Sequence, residues 1–353
     1  MRISQSSINR IAFKMKLAIG NSLYGFSQRW IDYCKENQID YKLVNCYQND
    51  LISQLSDCDA LLWHYFQTSP RALLVAKQIM FALEHSGKKI FPDFNTAWHF
   101  DDKLGQKYLL EALRAPLVPC YVFYSKEDAL DWVRHVTFPK VFKLRGGAGS
   151  SNVKLIKSQR KARRIIRKAF GRGFPQYNSI AVLKDVYQKY IKKKASFSAL
   201  IISAVHLVVP PRYSKIMGKE KGYVYFQDYI KGNDHDIRVV VIDNKAFAIK
   251  RLVRCNDFRA SGSGQILYDK DLFNEDLIKL SFDLAEKLKG QSIAFDFVYD
   301  GVTPKLLEIS YGFVPEGYDN CPGHWDKSLV WHSGVFNPYG WIIDALVRDL
   351  NEK

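Results

Sequence analysis

Residues 140–156 read KVFKLRGGAGSSNVKLI, two apolar, β-branched runs around three glycines and two serines. The runs predict two strands, and the middle predicts a hairpin between them. A P-loop needs Lys and then Ser or Thr after its last glycine, but Gly149 is followed by Ser150 and Ser151. A dinucleotide fingerprint needs glycine at position 152 and a helix afterwards, whereas Asn152 stands there and NVKLI reads as a strand. A Gly/Ser hairpin can still fold over phosphates, because its backbone N–H groups carry no side chain in the way. An ordinary turn would use the same residues. Lys143 adds weight to the phosphate reading: it sits among Val141, Phe142 and Leu144, where a charge is costly unless it is paired.

Toward the N-terminus, KLAIG (16–20), YKLVNC (41–46), ALLWHY (60–65) and KKIFP (88–92) read as strands with helical patterns between them. That alternation predicts a small parallel-sheet domain over residues 15–97. DDKLGQKYLLEAL (101–113) reads as a helix with two acids at its start. From FPKVFKL onward, antiparallel pairs plus helices predict a second domain over 98–350. Its strands are GYVYFQDYI (222–230), DIRVVVID (236–243), KAFAIKRLVR (245–254), SIAFDFVYDG and PKLLEIS. EDLIKLSFDLAEKLKG reads as a helix that stops at its glycine.

Charge is uneven. The chain carries a formal +16, and residues 157–221 hold 17 Lys and Arg against Asp185 and Glu220. Ala162, Ile165, Ile166, Ala169 and Phe170 follow the spacing of one helix face, and so do Leu183, Val186, Tyr187, Tyr190 and Ile191. Two basic amphipathic helices are therefore expected, followed by the apolar run SFSALIISAVHLVVPP (196–211). The six cysteines are scattered with no C-x-x-C pair, which fits a reducing cytoplasm. No apolar run reaches the ~18 residues of a spanning helix. The first 14 residues, MRISQSSINRIAFK, lack the apolar core of a secretory signal and read as a frayed extension.

Lys143 before the glycine loop, QDYI at 227, DIR at 236, FRASGSG at 258 and the late pair Asp296 and Glu308 occur in one order. That order resembles the ATP-grasp superfamily, especially glutathione synthetase, the ribosomal-protein glutamate ligases and D-alanine–D-alanine ligase. The resemblance implies an α/β chain, a pre-ATP-grasp domain followed by a two-subdomain grasp, with residues 171–222 as a basic helical insertion. It implies a Mg-ATP-dependent ligase that joins a carboxylate to an amine, or to a thiol, through an acyl phosphate. Lys103 and Lys143 would meet phosphate oxygens under the hairpin at Gly147, Gly149 and Ser150. Gln227, Asp228 and Ile230 would lie along adenine, the last two through their backbones, and Asp234 would hold the ribose. Arg238, Arg251 and Arg259 would grip phosphate and the acyl-phosphate oxyanion, with Lys250 an alternative to Arg251. Asp296, Glu308 and Ser310 would hold Mg²⁺; Ser310 stands where the family usually carries Asn, and a hydroxyl reaches less far. Asp296 and Glu308 lie in apolar strands, where an acid needs a cation or hydrogen bonds.

The substrates expected are a small-molecule or glycan carboxylate and an amine, placed near LYGF (23–26) and WHYF (63–66), with a uronic-acid sugar suggested by the basic charge. The insertion is read as receiving an anionic membrane or polysaccharide surface at the inner face of the membrane. No nucleic-acid reader module accompanies it. A solvated face, with 196–211 as a core strand or a subunit contact of a homodimer, is the competing reading. A non-catalytic ATP-binding module that uses the insertion to associate with membrane or polyanion is the alternative function. Cys321, His324 and His332 match no zinc spacing.

Overall fold

Short apolar runs become the sheet of the first unit. In the computed structural model, β1 (Lys16–Gly20), β2 (Asp40–Val44), β3 (Ala60–Leu62) and β4 (Lys89–Phe91) lie in the order β2-β1-β3-β4, all parallel. Leu17, Ile19, Leu61, Leu62 and Phe91 are buried, as expected for a parallel sheet covered on both faces. The structure describes residues 15–146, 152–177, 179–191, 193, 195–209, 211–253, 258–259 and 264–352. The N-terminal extension and Gly147, Gly149 and Ser150 lie outside the described residues.

Two compact units divide the chain: residues 1–64, 78–93 and 337–353 form one, and 65–77 with 94–336 form the other. This division differs from the expected boundary, because the helix Pro338–Asn351 groups with the N-terminal sheet. Tyr33 explains the grouping. Its hydroxyl donates to Asp344 Oδ1 at 2.6 Å, and its ring lies so close to Gly340 that a Cβ there would meet it at 2.4 Å. Phe26 of LYGF and His64 of WHYF meet within this unit: Phe26 N–H donates to His64 Nδ1 at 3.0 Å, and burial pushes the His64 imidazole down to about 3.

In the second unit, β5 (Cys120–Phe123), β6 (Lys140–Lys143) and β7 (Lys154–Ile156) precede the short pair β8 (Phe174–Pro175) and β9 (Lys219–Glu220). With β10 (Val224–Asp228) they form the antiparallel order β5-β10-β6-β7. β6 and β7, the strands on either side of the glycine-rich stretch, pair antiparallel, and Asn152 before β7 takes a left-handed φ of 59°. The second sheet contains β11 (His235–Ile242), β12 (Lys245–Leu252), β13 (Ile266–Leu267), β14 (Ser292–Asp300), β15 (Thr303–Ser310), β16 (Gly323–Asp326) and β17 (Trp331–Ser333). Its order is β15-β14-β11-β12-β16-β17, with β13 on β12.

One face of this sheet is apolar. Ile237, Val239, Val241, Phe295 and Phe297 pack into a core with Leu277, Ile278 and Leu284 of the helix Glu275–Leu288. That helix ends at Lys289, which takes the left-handed conformation (φ 51°) expected of the glycine. Gly290 is needed for another reason: a Cβ there would lie 2.6 Å from Ile293.

Both basic helices form, as Gln159–Ala169 and Ser179–Ile191. Ala162, Ile166 and Ala169 of the first are buried, but Tyr187, Tyr190 and Ile191 of the second are exposed. The run 196–211 is not a core strand. Ser196 accepts a hydrogen bond from Ala199 N–H and starts the helix Phe197–Val205, most of whose apolar side chains face outward.

Candidate functional site

The opposite face of the seven-stranded sheet carries charges, because alternation puts Asp236 and Arg238 of β11 on the side away from Ile237 and Val239. Register then sets the partners. Asp236 is opposite Arg251 on β12, Arg238 is opposite Asp296 on β14, and Asp296 is opposite Glu308 on β15. Arg251 Nε and Nη2 donate to Asp236 at 2.6 and 2.8 Å. Arg238 grips Asp296 through the same fork, with Nη2 2.6 Å from Oδ2, and Arg251 Nη2 lies 3.0 Å from Asp296 Oδ1. Burial would raise the Asp296 carboxyl, but the two guanidinium groups outweigh it and hold the group well below the usual carboxylate range. Burial does raise Asp236, against the pull of Arg251.

A β-bulge between Asp296 and Phe297 breaks the alternation of β15. Leu306 is fully buried in the core, yet Leu307 and Glu308, consecutive residues, both line a cavity. Without the extra residue, Glu308 could not stand beside Asp296.

Two lysines close the far side. Lys103 begins the helix Lys103–Ala112, which Asp102 caps by accepting from Gly105 N–H at 3.0 Å. Its own N–H donates to Arg145 O at 3.0 Å, and Arg145 N–H donates to the Tyr223 hydroxyl at 2.6 Å, which ties this helix to the stem of the glycine loop. Lys103 Nζ lies 3.6 Å from Glu308 Oε2. Burial disfavours both charges, but Glu308 raises Lys103, and Lys103 with Lys143 lowers Glu308. Lys143 differs. Burial pushes its ammonium below the ordinary lysine range, the attraction of Glu308 does not restore it, and repulsion from Lys103 adds to the effect. Lys143 makes no ion pair within 4 Å among the described residues.

Gln227 is 1% exposed and lines the same cavity. Its Nε2 donates to Leu307 O and Cys120 Sγ, both at 3.3 Å, while its Oε1 has no hydrogen-bond partner among the described residues. Asp228 N–H is committed to Pro119 O at 2.9 Å, and the Asp228 carboxylate pairs with Lys140. Tyr229, Ile230, Phe258 and Arg259 line the cavity as well.

Of the residues singled out by sequence, Lys103, Lys143, Gln227, Asp228, Ile230, Arg259, Asp296 and Glu308 face one cavity, with Arg238 and Arg251 directly behind Asp296. Arg251 rather than Lys250 points this way, since Lys250 pairs with Ile237 on the other face. Two residues fall elsewhere. Asp234 is outside the cavity lining, with its side chain 83% exposed and paired to His235 Nδ1; His235 lines the cavity instead. Ser310 donates to Gly312 O at 2.9 Å and accepts from Gly312 N–H at 3.3 Å, so a tight turn occupies its hydroxyl. Sequence reasoning gave no role to Asp236, although an acid two residues before Arg238 in an apolar strand was a visible signal.

Three comparisons bear on the fold. The chain matches no family model and no curated protein sequence. Among solved structures it is similar to an ATP-grasp RimK-domain protein from Sphaerobacter thermophilus (15% identity, 94% of this chain and 99% of that one, TM-score 0.54). It is similar also to D-alanine–D-alanine ligase from Bacillus anthracis complexed with ATP (16%, 96% and 99%, 0.55). A third is N5-carboxyaminoimidazole ribonucleotide synthetase from Thermotoga maritima (13%, 94% and 76%, 0.57). Two antiparallel sheets bearing a charged cavity, preceded in sequence by a parallel one, make this an α/β chain. The fold is the ATP-grasp fold.

Proposed function

We propose that this chain is an ATP-dependent carboxylate–amine ligase. The observation that carries the reading is a pair of under-matched groups in one cavity: Lys143, a buried cation with no acid within 4 Å among the described residues, and Gln227 Oε1, a buried acceptor with no donor among them. A buried cation not in contact with an acid and an unmade hydrogen bond are both costly. A nucleotide supplies what each lacks, phosphate oxygens for Lys143 and the exocyclic amine of adenine for Gln227. The Asp228 carbonyl and the Ile230 N–H complete the edge that reads the base, while His235, held by Asp234, stands nearest in sequence to the expected ribose acid.

Asp296 and Glu308, neighbours on one sheet face, suit Mg²⁺, which takes one or two carboxylates and keeps its other places for water and phosphate. Bound there, the ion would neutralise phosphate charge. Lys103 and Lys143 would orient the terminal phosphate, and Arg259 would meet charge on the transferring group. In the reaction, the substrate carboxylate attacks the γ-phosphorus and ADP leaves. The amine then attacks the acyl phosphate, an amide bond forms, and inorganic phosphate and a proton are released. The work of the protein is positioning and electrostatics, with no nucleophilic side chain. Small amino acids and uronic-acid glycans are the acceptors to screen.

One observation favours a second reading. The Ser310 hydroxyl is already committed to a turn and Asp296 is doubly gripped by arginines, a state suited to binding nucleotide without turnover. Thermal unfolding with Mg-ATP decides whether the site is live: at 100 times the dissociation constant the wild type gains about 2.7 kcal/mol. Lys143→Ala loses that gain and stays folded. No gain in the wild type would overturn both readings, and a gain without ADP release on any acid and amine would leave only the second.

A further inference from the structure

A surface helix of a soluble protein ordinarily turns its apolar stripe inward. The helix Phe197–Val205 does the reverse. Its one buried side chain is Ser203, at 3% exposure, while Phe197, Ile201, Ile202 and Val205 are exposed. The turn after it leaves Val208 85% exposed, and Ile180 and Ile191 at the two ends of the preceding helix are exposed too. So many large aliphatic side chains in water within some thirty residues exceed the scattered singles normal on a protein surface.

A second, independent observation lies at the base of this insertion, where β8 and β9 bracket it. Lys168 Nζ and Lys154 Nζ both approach the Phe174 ring, at 4.5 and 5.8 Å from its centroid. Lys154, Lys168, Arg172 and Phe174 line one open depression, and none of these three cations has an ion pair among the described residues. Lys168 is pushed down by burial first and then by repulsion from Lys154, Arg172 and Lys219. Tyr177, three residues past Phe174, packs against His206 at the end of the apolar helix. Cations with no ion pair among the described residues, in an insertion that also exposes aliphatic side chains, have a chemical complement, a layer that is anionic at its surface and hydrocarbon beneath. A second copy of the chain would set like charges against each other. No helix among the described residues is long and apolar enough to cross a membrane, so any contact is interfacial.

We propose that residues 154–219 dock on an anionic lipid bilayer, with Phe197, Ile202, Val205 and Val208 entering the acyl boundary and Lys154, Lys168, Arg172 and Lys219 meeting headgroup phosphates. This is independent of whether the nucleotide site turns over.

The test is co-sedimentation of the full chain with vesicles of phosphatidylcholine alone or with one-third phosphatidylglycerol. The wild type partitions onto the anionic vesicles only. Lys168→Gln with Arg172→Gln weakens partitioning by about 25-fold, roughly fivefold per charge near the surface. Phe197→Ser with Ile202→Ser and Val208→Ser weakens it at least about tenfold, even at low salt, where charge alone would be strongest. Both variants keep the Mg-ATP stabilisation, which separates this proposal from the nucleotide reading. Failure of the folded wild type to bind anionic vesicles overturns the proposal, as does binding that ignores the apolar substitutions. A concentration-dependent dimer abolished by those substitutions, with no vesicle binding, would identify a second copy as the occupant and overturn it equally.

Discussion

The cavity wall and the outer helices of residues 179–209 are built by opposite rules. On the wall, Asp236, Arg238, Arg251 and Asp296 point charge into the protein, and each meets an opposite charge set by strand register. On the insertion, aliphatic side chains point outward, and Lys154, Lys168 and Arg172 at its base have no ion pair among the described residues. In one region the interior tolerates charge because geometry is strict. In the other the exterior carries apolar surface and a cluster of repelling cations.

The strongest way to break this contrast is Asp296→Ala, which takes the forked partner from buried Arg238 and leaves Arg251 with Asp236 alone. Loss of about 3–5 kcal/mol is expected in urea unfolding. A loss under ~1 kcal/mol would mean the wall is far wetter than its burial implies. His64 extends the contrast to a buried group kept neutral. Its folded value of about 3 lies below the unfolded 6.5, so the unfolded chain binds the extra proton between them. Stability is full above pH 6.5 and falls as pH drops toward 3, by about 1.4 kcal/mol per unit from this residue alone. His64→Asn, whose side-chain oxygen can still accept from Phe26 N–H, should flatten that slope in denaturation series at several pH values. Ser196→Ala removes a helix cap on the insertion and should cost about 1 kcal/mol locally, read as faster amide exchange over 197–205 with the Mg-ATP gain unchanged. The smallest effect belongs to Phe197→Ser with Ile202→Ser, expected within about 0.5 kcal/mol per substitution because both side chains are already exposed. A large cost there would show that the two regions obey the same rule after all.

These asymmetries also determine what could be read from sequence. Strands such as KLAIG and DIRVVVID were legible because period and β-branching are local properties, and Lys143, Asp296 and Glu308 stood out as charges inside apolar alternation. The bulge that brings Leu307 and Glu308 to one face was not legible, since it is a property of β14 and β15 together. Nor was the one-residue difference between Asp234 and His235, because a turn gives no alternation to count. The outward-facing apolar run at 196–211 was visible as a run but not as a helix, since hydropathy without polar interruption has no period to read.

The place of the helix Pro338–Asn351 has a consequence for how the molecule is made. Its partner Tyr33 leaves the ribosome early, whereas the helix emerges about 300 residues later. At roughly 5–20 residues per second, the N-terminal sheet waits some 15–60 s for its last element. The second unit, contiguous apart from residues 65–77, can close first. Synthesis therefore runs from the N-terminus while completion runs from the interior outward, and a stop codon just before residue 337 would spare the charged cavity and leave the opening strands of the chain unfinished.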